Sequence, residues 1–161
     1  MATEPGALAS IHASCVRVGE HGVLIRGASG DGKSQLALAL ILAGRSGLIA
    51  PTLLVADDRV MLERRGERQS AGGERLVAFT PPQLAGLIEV RGVGIRRLPY
   101  AVEATITLVV DLGAPDAARM PSAESLSVEI DGLVLSRLPA FSDGDIVQQV
   151  LAMLLTEPGA A

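Results

Sequence analysis

Gly27-Ala-Ser-Gly-Asp-Gly-Lys-Ser34 fits the pattern G-x-x-x-x-G-K-[ST] without a gap. Glycines in such a loop let backbone N–H groups turn inward and approach phosphate oxygens closely. A lysine at the position of Lys33 reaches the outer phosphates of a nucleotide, and a hydroxyl at the position of Ser34 coordinates Mg²⁺. Gly27, Ala28, Ser29, Gly30, Asp31, Gly32, Lys33 and Ser34 are therefore the candidate nucleotide-binding residues. Of the 14 basic residues, thirteen are arginine and the single lysine is Lys33. An ammonium is a compact point charge, and a planar guanidinium cannot fill the same pocket. The competing reading, a glycine-rich strand-to-helix turn that binds nothing, does not explain why the one lysine stands there.

A second chemical pair closes the run Thr52-Leu-Leu-Val-Ala-Asp-Asp58. Phosphoryl transfer uses one carboxylate at the metal and another to accept the proton of the attacking hydroxyl. Asp57 and Asp58 could divide those roles, because successive side chains of an extended segment point in opposite directions. Lys33 and Asp57 are 24 positions apart, room for one helix, one turn and one strand. That spacing predicts the acids on the strand next to the loop. His12 and His21 are the only histidines. His21, in the turn Gly19-Glu-His-Gly22, reads as bland. His12 lies on the preceding strand, which could carry it beside the loop; its type alone leaves it between a structural and a catalytic role.

The elements that must position these residues follow from periodicity. Ile11 to Val18 and Gly22 to Arg26 read as strands, and Lys33 to Leu42 as a largely buried helix stopped at Gly44. Thr52 to Ala56 is a short aliphatic strand, Val60 to Glu63 a continuation or partner, and Arg64 to Arg75 an exposed loop or hairpin end. Leu76 to Phe79 and Leu87 to Val90 read as strands on either side of Pro81-Pro82, and Ala104 to Val110 as the clearest strand. Asp131-Gly132 predicts a hairpin between Ser127–Ile130 and Leu133–Ser136. A last helix is expected from Ser142, with Asp145 completing a capping box.

The sum is a single α/β domain, 1–161, with more strand than helix. Its 161 residues can bury a sizeable core, and 48% hydrophobic composition excludes a disordered chain. A net charge of −4 offers no footprint for nucleic acid. One cysteine excludes an internal disulfide framework, and no apolar run approaches membrane-spanning length. With no signal-peptide pattern at the start, a cytoplasmic protein is expected.

Four features in one order resemble the catalytic domain of bacterial HPr kinase/phosphorylase. They are His12 fifteen residues before Gly27, the loop GASGDGKS after GVLI, the strand end VADDRV (Val55 to Val60), and EVRGVGI (Glu89 to Ile95). The resemblance spans about residues 10–110. It implies a P-loop-containing mixed sheet of the HPr kinase and phosphoenolpyruvate carboxykinase type, and an ATP- and Mg²⁺-dependent serine kinase acting on the phosphocarrier protein HPr or an HPr-like carrier. By motif position, Lys33 would activate the phosphates, Asp57 would be the base toward the acceptor serine, and His12 would be an active-site histidine. Ser34 and Glu89 would bind Mg²⁺ with Asp58 in support, and Arg91 would clamp phosphate oxygens. A hexamer is implied, and the family's N-terminal domain is expected to be absent. Three departures stand out: Gln35 replaces the family's Glu, Arg119 is only a loose counterpart of a family arginine, and Leu138-Pro-Ala-Phe-Ser-Asp143 replaces a P-V-R-P-G-R segment tied to dephosphorylation. Weak or absent reverse activity is therefore expected. Alternatives are a kinase of another protein or small molecule on the same core, pyrophosphate as donor, or a nucleotide-sensing module without turnover.

Overall fold

The computed structural model describes residues 9–69, 71–142 and 144–159. In chain order the elements are β1 (Ala9–Val18), β2 (His21–Arg26), α1 (Lys33–Arg45), β3 (Thr52–Ala56), β4 (Arg59–Arg65), β5 (Arg75–Phe79), β6 (Leu87–Val90), β7 (Gly94–Arg97), β8 (Glu103–Leu112), β9 (Ser127–Ile130), β10 (Leu133–Ala140) and α2 (Ile146–Leu155), with one 3-10 turn at Pro82–Leu84.

Two ten-residue strands, β1 and β8, organise the molecule because each serves two sheet limbs. The second half of β1 lies between β3 and β2, both antiparallel to it. From β2 the limb continues through β8 and β10, each parallel to the strand before it, to antiparallel β9. The first half of β1 instead pairs with β4, which pairs with β5, which returns to the start of β8. A separate two-stranded sheet, β6–β7, stands outside this path.

The period of two then sorts the aliphatic side chains into two cores. Val16, Val18, Val23, Ile25, Leu108 and Val110 pack under Leu36, Ala37, Leu40 and Ile41 of α1, with Val150 of α2 at the edge of the same cluster. The alternate residues Cys15, Leu24 and Val109 face Val60, Leu62, Leu76 and Ala78 of the second limb. Strands covered on both faces must be aliphatic throughout, which is why GVLI and LVV carry no alternation. Cys15 is fully buried, and burial pushes its thiol far above the ordinary range. No helix among the described residues is long and apolar enough to cross a membrane.

Several sequence expectations change here. The last helix starts at Ile146, not Ser142: Asp145 is its N-cap, its carboxylate accepting from the Gln148 N–H. Gly144, at φ 102°, breaks the backbone ahead of that cap, so Ser142 cannot open the helix; Asp143 lies outside the described residues. The expected loop from Arg64 to Arg75 is shorter, because Arg64 and Arg65 finish β4 and Arg75 opens β5, with Arg65 paired to Arg75. β10 runs on to Ala140, where its pairing with β8 carries it beyond Ser136. β7, not anticipated, pairs its exposed residues to β6 in a register of Glu89 with Ile95. The acids also do not follow the strand adjacent to the loop: β1 separates β3 from β2. Proximity to the loop comes through the α1 end instead.

Candidate active site

β2 ends at Arg26, and Gly27 to Gly32 turns the chain into α1. Gly30 and Gly32 take φ 88° and 94°, a region a side-chain-bearing residue enters only at a cost, so the turn itself favours glycine at these two positions. The turn is tied internally. The Asp31 N–H donates to Ala28 O at 3.0 Å, and the Asp31 carboxylate accepts from the Ala28 N–H at 2.8 Å. Gly32 caps α1 without a side-chain hydrogen bond, so the helix N-terminus opens with no capping side chain. Lys33 is buried, and its ammonium donates to Gly27 O at 3.0 Å and Ala28 O at 3.1 Å. The ammonium is thereby folded back over the loop.

Asp57 stands where three elements meet. Its Oδ1 accepts from Ser34 Oγ of α1 and from Ser14 Oγ of β1, each at 2.7 Å, and its Oδ2 accepts from the Glu89 N–H of β6 at 3.1 Å. Asp58, the next residue, has φ 68°, and the turn is closed by the Arg59 N–H donating to Asp57 O at 2.8 Å. Asp58 Oδ1 lies 3.2 Å from His12 Nδ1, brought there by the register of His12 against Arg59.

Of the sequence-derived candidates, the structure therefore brings together the loop Gly27 to Gly32, Lys33, Ser34, Asp57, Asp58 and His12. Glu89 reaches the site through its backbone N–H, while its side chain occupies an exposed position of β6. Arg91 sits exposed in the β6–β7 turn, and among the described residues no hydrogen bond or ion pair joins it to Asp57 or the loop. Sequence reasoning missed Ser14, which is fully buried. Its signal was present: it stands two residues after His12 on one strand, and alternation turns both toward the same side.

The donor set around Asp57 and Ser34 is hard oxygen, one carboxylate and one hydroxyl. Mg²⁺ takes such sets when substrate phosphates and water complete its octahedron. Among the described residues no group of three or more His, Cys, Asp or Glu forms a protein-only metal cage. Residues Ser34 and Asp57 fit a phosphate-bridged cation, and the glycine loop fits the phosphates.

Beneath the loop, Arg26 and Arg137 both engage Asp111. Arg26 donates through two nitrogens at 2.7 and 2.8 Å, and Arg137 Nε donates at 2.6 Å. Arg137 also binds Asp116 and the Ser125 carbonyl. Burial would raise the Asp111 carboxyl, but the two guanidinium groups outweigh it and hold it below the ordinary carboxylate range. Because Arg26 directly precedes Gly27, this network anchors the root of the loop to β8 and β10.

Comparison with known proteins places this geometry in context. Residues 6–121 match the HPr Serine kinase C-terminal domain family. HPr kinase/phosphorylase of Neisseria meningitidis serogroup C is 35% identical over 127 residues, 74% of this chain and 36% of the relative. HPr kinase/phosphorylase of Shouchella clausii is 38% identical over 93 residues, 58% of this chain and 26% of the relative. The chain thus spans about a third or less of these curated relatives. Among solved structures, the Hpr(Ser) kinase/phosphatase from Coxiella burnetii aligns with a TM-score of 0.66 at 24% identity, covering 90% of this chain and 93% of that one. That likeness establishes the shared fold.

Proposed function

The chain belongs to the HPr Serine kinase C-terminal domain family, and on that premise we propose that it transfers the γ-phosphoryl group of ATP to a serine hydroxyl of HPr or an HPr-like phosphocarrier protein, in the bacterial cytoplasm. The observation that carries this reading is the Asp57-Asp58 dipeptide, which joins the two halves of such a reaction. Asp57 is bonded to Ser34 at the mouth of the glycine loop, and its neighbour Asp58 holds His12.

In this mechanism the glycine loop and the α1 N-terminus bind the phosphates through backbone N–H groups. Lys33 turns its ammonium from the Gly27 and Ala28 carbonyls to the outer phosphate oxygens. Mg²⁺, when bound, neutralises developing phosphate charge, and Ser34 with a carboxylate of the pair would hold it. The acceptor serine Oγ attacks the γ-phosphorus, the new O–P bond forms as the bond to the β-phosphate oxygen breaks, and ADP leaves. Asp57 takes the hydroxyl proton, the acceptor serine displacing Ser34 from Oδ1, which accepts the Ser14 and Ser34 hydroxyls at 2.7 Å. His12 steadies Asp58; on the β6–β7 hairpin, Arg91 would reach the phosphates and Glu89 would reach the cation that accompanies them once substrate is in place.

The 2.7 Å contact of Ser34 with Asp57 favours a second distribution of the same roles. A carboxylate bonded to the loop serine stands where the cation ligand of other phosphate-loop enzymes stands. Asp57 would then serve the cation, and the exposed Asp58–His12 pair would take the proton.

The deciding experiment is incubation of the protein with HPr, ATP and Mg²⁺, followed by phosphoserine analysis. Phosphoserine on HPr is expected; ATP binding without transfer to any carrier would leave a nucleotide-sensing module instead. Dephosphorylation of phosphoserine-HPr should be slow, since Leu138 to Ala140 complete β10 as apolar strand and Phe141 follows, with no arginine among them. A hexamer, expected from family resemblance, is checked by light scattering.

A further inference from the structure

Ser14 is fully buried in the middle of β1, flanked by Ala13, Cys15 and Val16, all fully buried as well. A hydroxyl in such surroundings costs free energy unless it is hydrogen-bonded, and alanine would suit the strand's packing. Among the described residues the hydroxyl has one hydrogen bond, to Asp57 Oδ1, at 2.7 Å and across 43 residues of sequence. The same oxygen accepts from Ser34, whose place at the start of α1 commits it to ligand chemistry. The third donor, the Glu89 N–H, belongs to a hairpin outside the main sheet.

Of the three groups that hold Asp57, Ser14 is therefore the one anchored in the central sheet. Its backbone is paired to Ile25 of β2, the strand that feeds the glycine loop, and the N–H of its neighbour Ala13 donates to the Asp58 carbonyl at 3.3 Å. We propose that Ser14 is the positioning residue of the site, fixing the Asp57 carboxylate toward the glycine loop independently of Ser34 and of the β6–β7 hairpin. The role rests on the phosphoryl-transfer reading, since it matters to rate only if Asp57 acts on substrate or its cation.

Two variants and two readouts test it. In Ser14→Ala, kcat for transfer should fall about ten- to a hundredfold, the range of one hydrogen bond to a charged group, with KM for ATP unchanged. Ser14→Thr keeps the hydroxyl on a residue suited to strands and should restore most of kcat. The second readout needs no substrate: the carboxyl carbon NMR signal of Asp57, identified by its loss in Asp57→Asn, should move in Ser14→Ala and return in Ser14→Thr. A loss appearing in KM for ATP instead of kcat, or an Asp57 signal unmoved by Ser14→Ala, overturns the proposal. Should the wild-type protein transfer no phosphate, the NMR comparison alone decides whether Ser14 holds Asp57, and the failure is then that of the kinase reading.

Discussion

His12 Nδ1 lies 3.2 Å from Asp58 Oδ1, yet the two side chains are 70% and 73% exposed. The contact exists because β1 pairs with β4 at His12 and Arg59, and because Asp58 adopts the left-handed conformation one residue earlier. An exposed pair of this kind contributes only about 0–1 kcal/mol. Stability does not account for its construction; on the proposed phosphoryl-transfer reading the pair stands beside the reacting groups. His12→Ala should therefore change the unfolding free energy by less than about 1 kcal/mol while phosphoryl transfer falls ~10²-fold or more. Urea titration and a transfer assay on one preparation check both halves. A large stability loss with normal transfer would reverse the interpretation.

Lys33 is buried against the Gly27 and Ala28 carbonyls, which in the proposed mechanism it would exchange for phosphate oxygens. Lys33→Ala should abolish ATP binding, read by calorimetry, with circular dichroism unchanged. Lys33→Arg should fail too, because the planar fork is wider than the turn that holds the ammonium. Near-full activity of Lys33→Arg would remove the significance of the solitary lysine.

The acidic pair separates by metal dependence. If Asp57 is the base, Asp57→Asn should bind nucleotide but lose ~10²–10⁴-fold in transfer, and excess Mg²⁺ should not restore it. Asp58→Asn should instead raise the Mg²⁺ concentration needed for half-maximal rate. Rescue of Asp57→Asn by Mg²⁺, with Asp58→Asn beyond rescue, would establish the second distribution of roles. Normal rates in both would reduce the dipeptide to a surface turn.

Asp111 sets a pH signature. Its folded-state value is depressed by Arg26 and Arg137, so its contribution to stability is fully present above the unfolded carboxylate value, near 3.9, and is lost as pH falls through the lower folded one. Wild-type thermal midpoints should drop more steeply below about pH 4 than those of Asp111→Asn. At neutral pH the variant should lose roughly 1.5–3 kcal/mol, the range for hydrogen bonds to a charged group. Asp116, also held low by Arg137, titrates in the same range in both proteins, so the difference between them isolates Asp111.

Gly22 of β2 packs directly against β8: an added Cβ would lie 2.6 Å from the Thr105 carbonyl oxygen. Gly22→Ala must push backbone against backbone and should destabilise by about 1–3 kcal/mol, measured by urea unfolding. An unchanged midpoint would mean that the β2–β8 register is softer than the pairing suggests.

Local chemistry alone determined the loop, the helix after it, the strand leading to Asp57 and Asp58, and the Asp131-Gly132 hairpin. Each is dictated by neighbouring residues: glycines where φ is positive, an aliphatic run where both faces are covered, a primed turn where Asp131 and Gly132 take φ 50° and 78°. The start of α2 was misjudged because two capping side chains stand three residues apart, and only the backbone reversal at Gly144 selects Asp145. What tertiary structure alone decided is which groups meet. β1 came to lie between β2 and β3, which no spacing encodes, because strand order reflects how two long strands share two sheet limbs. That insertion carries Ser14 to Asp57 and the β1–β4 pairing carries His12 to Asp58, across 43 and 46 residues, contacts whose partners are fixed by strand register and not by sequence distance.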